Sequence, residues 1–216
     1  MNGVVVFGRQ PLPGNVKTRL AQAIGADAAA RVYAVLLEHA LRCASQASAN
    51  VVLSLASPPS PDWNPPVPVT VEVQSDGDLG SRMASAFQLR FEQGWRRVVL
   101  VGSDCAQLSP RHLLRALEGL ERSELVLGPA SDGGYWLVGQ RPPGVDVFSG
   151  VPWSTPETLT RTRARIAELA VACSELETLD DVDTVEDLER LGIDGTVGTV
   201  LLRRLVSARG TPPTKS

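Results

Sequence analysis

The stretch R-V-V-L-V-G-S-D-C-A-Q-L, residues 97–108, decides the fold of this 216-residue chain. Residues 98–101 are a continuous apolar run of mostly β-branched side chains, which is typical of a strand covered on both faces of a parallel sheet. The run stops at Gly102, and Asp104 follows two residues later. Open α/β sheets bind their ligands outside the carboxyl ends of the strands, so we predict that Asp104 is a metal or substrate ligand.

The second part of the same region repeats this arrangement with a different turn. The sequence S-E-L-V-L-G-P-A-S-D-G-G-Y-W-L-V-G-Q, residues 123–140, predicts two short strands joined through Asp132, Gly133 and Gly134. Consecutive glycines let a backbone approach a ligand closely, which would present Asp132 at the rim of a site. Asp-Gly and Gly-Gly are also common turn formers, so the pattern leaves both interpretations of Asp132 open.

Apolar periodicity predicts further strands and helices along the chain. Short apolar runs predict strands at 4–7, 51–55, 69–73 and 176–179. Helical spacing and capping residues predict helices at 26–47 and 110–120, from Asp78 through Phe91, from Thr155 to about Ala172, and after Thr184.

A cationic loop follows the first predicted strand. The sequence G-R-Q-P-L-P-G-N-V-K-T-R, residues 8–19, contains Arg9, Lys17 and Arg19 together with Gly14. Backbone N–H groups of such a loop and the N-terminus of the next helix both favour anions. The loop can therefore bind phosphate groups, and a solvated basic loop is the alternative that these residues alone leave open. Its spacing excludes a Walker A loop, and a GxGxxG dinucleotide fingerprint is absent from the sequence.

Composition narrows the class of protein. An apolar fraction of 43% over 216 residues is sufficient for a sizeable core. The formal net charge of -3 argues against nucleic acids and anionic membranes as partners. Three widely separated cysteines do not form a disulfide framework, and no apolar run or basic leader indicates membrane insertion or secretion. We therefore expect a cytoplasmic protein, whose oligomeric state the sequence does not indicate.

Six segments together resemble the DUF2064 family, also called rSAM/selenodomain-associated transferase 1. The family belongs to the nucleotide-diphospho-sugar transferase superfamily with the GT-A fold. The resemblance covers nearly the whole chain to about residue 191, and the chain departs from the family at Arg9, Ser81 and Ala106, where Lys, Glu and Pro are usual. The segments are F-G-R-Q-P-L-P-G-N-V-K-T-R-L-A (7–21), G-D-L-G-S-R-M (77–83), G-S-D-C-A-Q-L (102–108), L-G-P-A-S-D-G-G-Y-W-L-V-G (127–139), V-P-W-S-T (151–155) and D-V-D-T-V-E-D-L (181–188).

The resemblance implies a fold and a set of site residues. The fold is a three-layer α/β/α Rossmann-like arrangement with a mostly parallel mixed sheet, formed by residues 1–195. Residues 196–216 lie outside the resemblance, and their own sequence predicts a C-terminal helix and a flexible tail. Mg²⁺ or Mn²⁺ would be held by Asp104 and Asp183. The expected nucleotide-binding residues are Arg9, Gly14, Lys17, Arg19, Gly80 and Arg82, and the expected catalytic residues are Lys17, Arg19, Asp104 and Asp132.

Two transferase chemistries are compatible with these residues. In nucleotidyl transfer, a small phosphorylated acceptor attacks a nucleoside triphosphate, which gives the cationic loop an anionic leaving group to neutralise. In glycosyl transfer, the donor is a nucleotide-sugar. The segment Lys17-Thr18-Arg19 resembles nucleotidyltransferases, including phospholactate guanylyltransferases, and therefore favours the first chemistry. A non-catalytic nucleotide-binding protein is a third alternative, which the presence of all three aspartates disfavours.

Overall fold

Seven strands form one sheet in the part of the chain that the computed structural model describes, residues 1–194. The predicted C-terminal helix and tail at 196–216 lie outside the described residues. The strand order is β3-β2-β1-β4-β6-β5-β7. The strands are β1 Asn2–Gly8, β2 Val51–Leu55, β3 Thr70–Val73, β4 Arg97–Gly102, β5 Leu125–Pro129, β6 Tyr135–Gln140 and β7 Cys173–Glu175.

The sheet is parallel except at β6, which runs antiparallel to both of its neighbours, β4 and β5. The central strands are buried on both faces, as their continuous apolar sequences require. Val5 is paired with Val52 of β2 on one side and with Leu100 of β4 on the other. The predicted mostly parallel mixed sheet is therefore confirmed.

Six helices among residues 1–194 complete the three layers. Helices α2 and α4 pack on one face of the sheet, and α3 and α5 pack on the other. Helices α1 and α6 contribute to a smaller apolar cluster beside α2. None of these helices is both long enough and apolar enough to cross a membrane. The helices are α1 Thr18–Ile24, α2 Ala26–Ala47, α3 Leu79–Glu92, α4 Pro110–Arg122, α5 Thr158–Glu168 and α6 Val185–Asp194.

Two predicted elements are wrong in position. The late strand predicted at 176–179 lies at Cys173–Glu175, because the pairing with β5 sets its register, and Leu179 makes only an isolated bridge with Ala130. The helix predicted to begin after Thr155 begins at Thr158 and ends at Glu168. Thr155 instead closes a turn, in which its hydroxyl donates to the carbonyl of Pro152 and accepts from the N–H of Glu157.

The order of the strands creates a crevice between β1 and β4. These strands are parallel neighbours, and Phe7 is paired with Gly102 near their carboxyl ends. From β1 the sheet continues through β2 and β3 on one side, whereas from β4 it continues through β6 on the other. Such a change of direction opens a crevice outside the strand ends. The cationic loop that follows β1 and Asp104, which follows β4, therefore meet at this edge.

The packing of Trp95 on β1 leads to a stability prediction. A methyl group at Gly3 would lie 2.0 Å from the Trp95 ring, so we expect Gly3→Ala to lower the free energy of unfolding by about 1–3 kcal/mol. A methyl group at Gly102 would come no closer than 3.9 Å to its neighbours, so Gly102→Ala is a matched control with a change within about 0.5 kcal/mol. Urea denaturation followed by circular dichroism measures both, and equal effects would contradict the packing argument.

Candidate functional site

The loop after β1 places Lys17 at the centre of the crevice. Lys17 precedes α1 in the left-handed conformation, with φ 47° and ψ 50°, and its carbonyl accepts from the N–H of Ala21. A non-glycine residue with positive φ is strained, and such strain is common at functional sites. The side chain of Lys17 is only 2% exposed, whereas Arg19 in the next turn is 77% exposed. The loop therefore buries one cation and leaves another at the surface.

Two segments far apart in the sequence bring carboxylates to Lys17. Asp104 follows β4, and the segment 179–184 runs beside it because the N–H of Val182 donates to the carbonyl of Asp104. The buried side chain of Val182 anchors this segment, while Asp181 and Asp183 on either side line the cavity. Alternation along an extended segment sends these two side chains the same way. Asp181 was missed in the sequence analysis, although the spacing D-V-D could have identified it.

Lys17 forms two ion pairs at once. Its Nζ atom lies 2.7 Å from Oδ2 of Asp104 and 2.8 Å from Oδ1 of Asp183. Burial alone would lower the pKa of the Lys17 ammonium, but the two carboxylates outweigh burial and raise this pKa. Burial and, next, the nearby charge of Asp104 raise the pKa of Asp181 to about 7. Two carboxylates thus hold the buried ammonium directly, and Asp181 is close enough for its pKa to respond to their charges.

A chain of hydroxyl groups contacts Oδ1 of Asp104, the oxygen that does not pair with Lys17. The N–H of Arg9 donates to the Tyr33 hydroxyl over 2.8 Å, and this hydroxyl lies 2.7 Å from Oγ of Ser103. Oγ of Ser103 donates to Oδ1 of Asp104 over 3.1 Å, so Tyr33 must be the donor to Ser103. Both hydroxyl-bearing residues are buried. Tyr33, on helix α2, therefore connects the cationic loop to the carboxylate after β4.

A second group of polar residues lines the opposite end of the same cavity. Nε of Arg82 donates to the carbonyl of Gly77, and Nη1 lies 3.5 Å from Oε1 of Gln74. Nε2 of Gln74 in turn donates to the carbonyl of Ser54 on β2. Asp78 caps helix α3 as predicted, because its side chain accepts from the N–H of Ser81. These contacts hold Arg82 at the start of α3, beside the cavity.

Six of the predicted site residues line one cavity, and three do not. The cavity has a volume of about 800 Å³ and is lined by Arg9, Lys17, Arg19, Arg82, Asp104 and Asp183 among others. Gly14, Gly80 and Asp132 are absent from its lining. Asp132 is exposed, and its Oδ1 atom accepts from the N–H of Gly134, which is the turn-forming interpretation.

Gly80 has a packing role that the sequence did not reveal. A methyl group at Gly80 would lie 2.5 Å from Cζ2 of Trp153, so the absence of a side chain is what lets the indole ring lie against α3. Trp153 also packs edge-on against Tyr135, with ring centroids 6.2 Å apart. Gly80 is also predicted to approach a nucleotide, and its close contact among the protein's own atoms is this ring. Through Trp153, the loop before α5 is attached to the helix that carries Arg82.

A divalent cation fits the arrangement of Asp104 and Asp183. The Lys17 ammonium shows that oxygens from both carboxylates converge on a point where a cation is held. Within residues 1–194, no three His, Cys, Asp or Glu side chains form a ready metal cluster. Mg²⁺ commonly uses one or two carboxylates and completes its shell with water and substrate phosphates. Two carboxylates beside a cationic loop match that requirement.

The fold and this cavity define an α/β protein of the nucleotide-diphospho-sugar transferase type. The chain belongs to the family described as "Uncharacterized protein conserved in bacteria (DUF2064)", whose profile matches residues 36–155. It is also similar to a solved protein from Desulfovibrio desulfuricans G20 that is described as a nucleotide-diphospho-sugar transferase, with a TM-score of 0.87, 30% identity and coverage of 95% of each chain.

Two further proteins extend this comparison. The chain is 34% identical over 178 residues to 2-phospho-L-lactate guanylyltransferase from Methanopyrus kandleri. This match covers 81% of this chain and 84% of that protein. The inositol-1-phosphate CTP transferase from T. maritima has 12% identity and a TM-score of 0.54, and the match covers 99% of this chain and 98% of that one. The last comparison shows a shared fold.

The hydroxyl chain predicts coupling between Tyr33 and Ser103. Tyr33→Phe and Ser103→Ala each break the same chain, so their combined effect on the free energy of unfolding should fall short of the sum by at least about 0.5 kcal/mol. Ser123 caps the end of α4, away from this chain, and its hydroxyl contacts that of Ser174 on β7, so Ser123→Ala is the control. Tyr33→Phe and Ser123→Ala should be additive in urea denaturation. Additivity of both pairs would show that Tyr33 does not act through Ser103.

The contact between Gly80 and Trp153 predicts a suppressor. Gly80→Ala should cost about 1–3 kcal/mol of stability, because the added methyl displaces the indole ring. In a Trp153→Ala background the same change should not lower the free energy of unfolding, because the ring is gone. The higher helix propensity of alanine should instead raise it by up to about 1 kcal/mol. Nucleotide binding measured in that background provides the contrasting outcome. If Gly80→Ala still weakened it, Gly80 would contact the nucleotide after all.

Proposed function

We propose that this chain is a metal-dependent nucleotidyltransferase that transfers a nucleotidyl group from a nucleoside triphosphate to a small phosphorylated acceptor. The observation that carries the proposal is the cluster of Lys17, Asp104 and Asp183 at the ends of β1 and β4. It combines a buried cation with two carboxylates in one cavity beside Arg9 and Arg19. The similarity to 2-phospho-L-lactate guanylyltransferase supports this chemistry and makes GTP the first donor to test.

The two parts of the cavity differ in charge, so the phosphates and the nucleoside of a nucleotide would lie in different parts. Lys17, Arg9 and Arg19 supply positive charge for phosphates, Arg with paired hydrogen bonds and Lys as a compact charge. Arg82 and the loop 74–78 line the other end and would contact the base and ribose. Gly14 and Gly80 lie outside the lining, so their proposed part is to shape the loop and to seat Trp153.

In the proposed reaction, a phosphate oxygen of the acceptor attacks the α-phosphorus of the donor while the bond to the β-phosphate breaks and pyrophosphate leaves. Asp104 and Asp183 would hold Mg²⁺ or Mn²⁺. When bound, the cation neutralises charge that develops on the phosphates. Lys17 and Arg19 would neutralise the departing pyrophosphate, and positioned charges of this kind are usually the largest contribution to catalysis. No nucleophile from the protein is required.

The acceptor side of the cavity is formed by the start of β6 and the loop before α5. Tyr135 and Ser154 line the cavity there, and Ser154 has a positive φ of 60°. Asp132 lies three residues before Tyr135 and is exposed, so its proposed role is to position an acceptor that enters from this side. The unpaired cysteines Cys43, Cys105 and Cys173 agree with a reducing, cytoplasmic compartment as part of the same proposal.

Donor charge distinguishes nucleotidyl transfer from glycosyl transfer. A triphosphate offers Lys17 and Arg19 more charge to neutralise than a diphospho-sugar does, so GTP with Mg²⁺ should bind at least about tenfold more tightly than a GDP-sugar, a difference of about 1.4 kcal/mol. Titration calorimetry with both ligands measures the difference. Release of pyrophosphate from GTP in the presence of phospholactate would then demonstrate the reaction. A clear preference for the GDP-sugar would favour glycosyl transfer.

Asp104→Asn tests the proposed metal ligand in the same assay. The change removes one negative charge with little change of shape, so metal-dependent GTP binding should fall while the fold persists. Asp62→Asn is the matched control, because Asp62 is exposed and outside the cavity lining. We expect it to bind GTP as the unaltered protein does. Equal GTP affinity for the two variants in the presence of Mg²⁺ would refute the role of Asp104.

A further inference from the structure

Lys17 lies where the two proposed metal ligands converge. Its Nζ atom is 2.7 Å from Asp104 and 2.8 Å from Asp183, and its side chain is 2% exposed. A metal ion shared by these two carboxylates would have to lie between the same oxygens. Two cations at one point would repel each other at short range, where little water is available to screen them. The ammonium and the metal ion are therefore alternative partners of these carboxylates.

We propose that Lys17 is the resident counter-ion of Asp104 and Asp183, and that the divalent cation enters this site only together with the nucleotide. The inference rests on the proposed function and specifies its substrate as the metal–nucleotide complex. In the free protein, Lys17 neutralises the carboxylates and keeps the affinity for the bare metal ion low. A bound nucleotide provides phosphate oxygens that receive the ammonium, and the carboxylates then become available to the metal.

The surroundings of Lys17 explain why a phosphate is needed for this exchange. The ammonium of Lys17 is buried. If it moved away from both carboxylates and met no other anion, its positive charge would lie away from water without a partner. The cavity that Lys17 lines also contains Arg9 and Arg19, which would attract phosphates to it. The nucleotide thus brings the partner that lets Lys17 move.

The backbone and the choice of lysine support a movement of the side chain alone. The carbonyl of Lys17 is fixed by the N–H of Ala21, and the preceding Val16 is buried. The sequence has 21 basic residues, of which only Lys17 and Lys215 are lysines. Lysine carries its charge on a flexible four-carbon stem, whereas the planar fork of arginine favours fixed paired bonds. Lysine is therefore the better suited of the two side chains for a counter-ion that changes partners.

Arg19 separates this specific role from a general effect of charge. It lines the same cavity and carries the same charge, but it is 77% exposed and lies 3.9 Å from Asp183. An exposed pair of this kind is worth at most about 1 kcal/mol. Removing Arg19 should therefore change the affinity for a bare metal ion only slightly, whereas removing Lys17 should change it strongly.

The test is a titration of the full-length chain with Mn²⁺ alone, with free Mn²⁺ followed by electron paramagnetic resonance. Lys17→Met should bind Mn²⁺ at least about tenfold more tightly than the unaltered protein, because it leaves Asp104 and Asp183 without their counter-ion. Arg19→Met should differ from the unaltered protein by less than about fivefold. Lys17→Gln, which keeps a polar side chain, replaces Lys17→Met if circular dichroism shows that the latter is unfolded.

The same variants are then titrated with GTP in the presence of Mn²⁺. Lys17→Met should bind GTP more weakly than the unaltered protein, so its two effects have opposite signs. A variant that only loosened the site would weaken both kinds of binding. Binding of bare Mn²⁺ by Lys17→Met that is no tighter than that of the unaltered protein would overturn the inference.

Failure of the proposed function has a different signature. If the unaltered protein binds neither GTP nor another nucleoside triphosphate, the proposed donor is wrong. The comparison of Lys17→Met with Arg19→Met for bare Mn²⁺ needs no nucleotide, so it still decides whether Lys17 is the counter-ion.

Discussion

The double ion pair of Lys17 with Asp104 and Asp183 is the interaction on which the arrangement of the site depends. It joins the loop after β1, the end of β4 and the segment before α6, which are separated by more than a hundred residues at the extremes. A buried charge is tolerated only with partners, so each segment requires the others to be in place. The strained backbone of Lys17 and the hydroxyl chain through Tyr33 hold the two sides of this junction.

Much of the fold could be predicted from sequence because its signals are local. The runs 51–55 and 98–101 are continuous and apolar, and the helix 26–47 has both the correct spacing and a length that the structure reproduces. The late strand was misplaced because only pairing with β5 selects 173–175 over the more apolar 176–179. The start of α5 was misplaced because Thr155, which has the side chain of a typical N-cap, uses its hydroxyl in a turn with Pro152 and Glu157.

The site was predictable in its charges and less so in its contacts. Its position after a strand singled out Asp104, whereas Lys17, Arg19 and Asp183 were selected with the help of the family resemblance, and all four residues line one cavity. Gly80 shows where this reasoning ends, because a glycine indicates a close approach without saying what approaches. Tyr33 lies within the amphipathic pattern of residues 26–47, which indicates a helix and nothing about a site. Its hydroxyl forms a hydrogen bond with Ser103, which is 70 positions further along the chain, and no sequence pattern predicts this contact.

The direction of β6 decides which of its two ends lies beside the cavity. Because β6 alone runs against its neighbours, its beginning, rather than its end, lies at the edge where β1 and β4 end. The hairpin from β5 into β6 therefore lies at the same edge, and Tyr135 at the start of β6 lines the cavity. Contacts outside the sheet fix this hairpin, because the carbonyl of Gly133 accepts from the N–H of Leu159 and Ala130 forms a bridge with Leu179. The turn between β5 and β6 thus joins the cavity edge to helix α5 on one side and to the segment that carries Asp181 and Asp183 on the other.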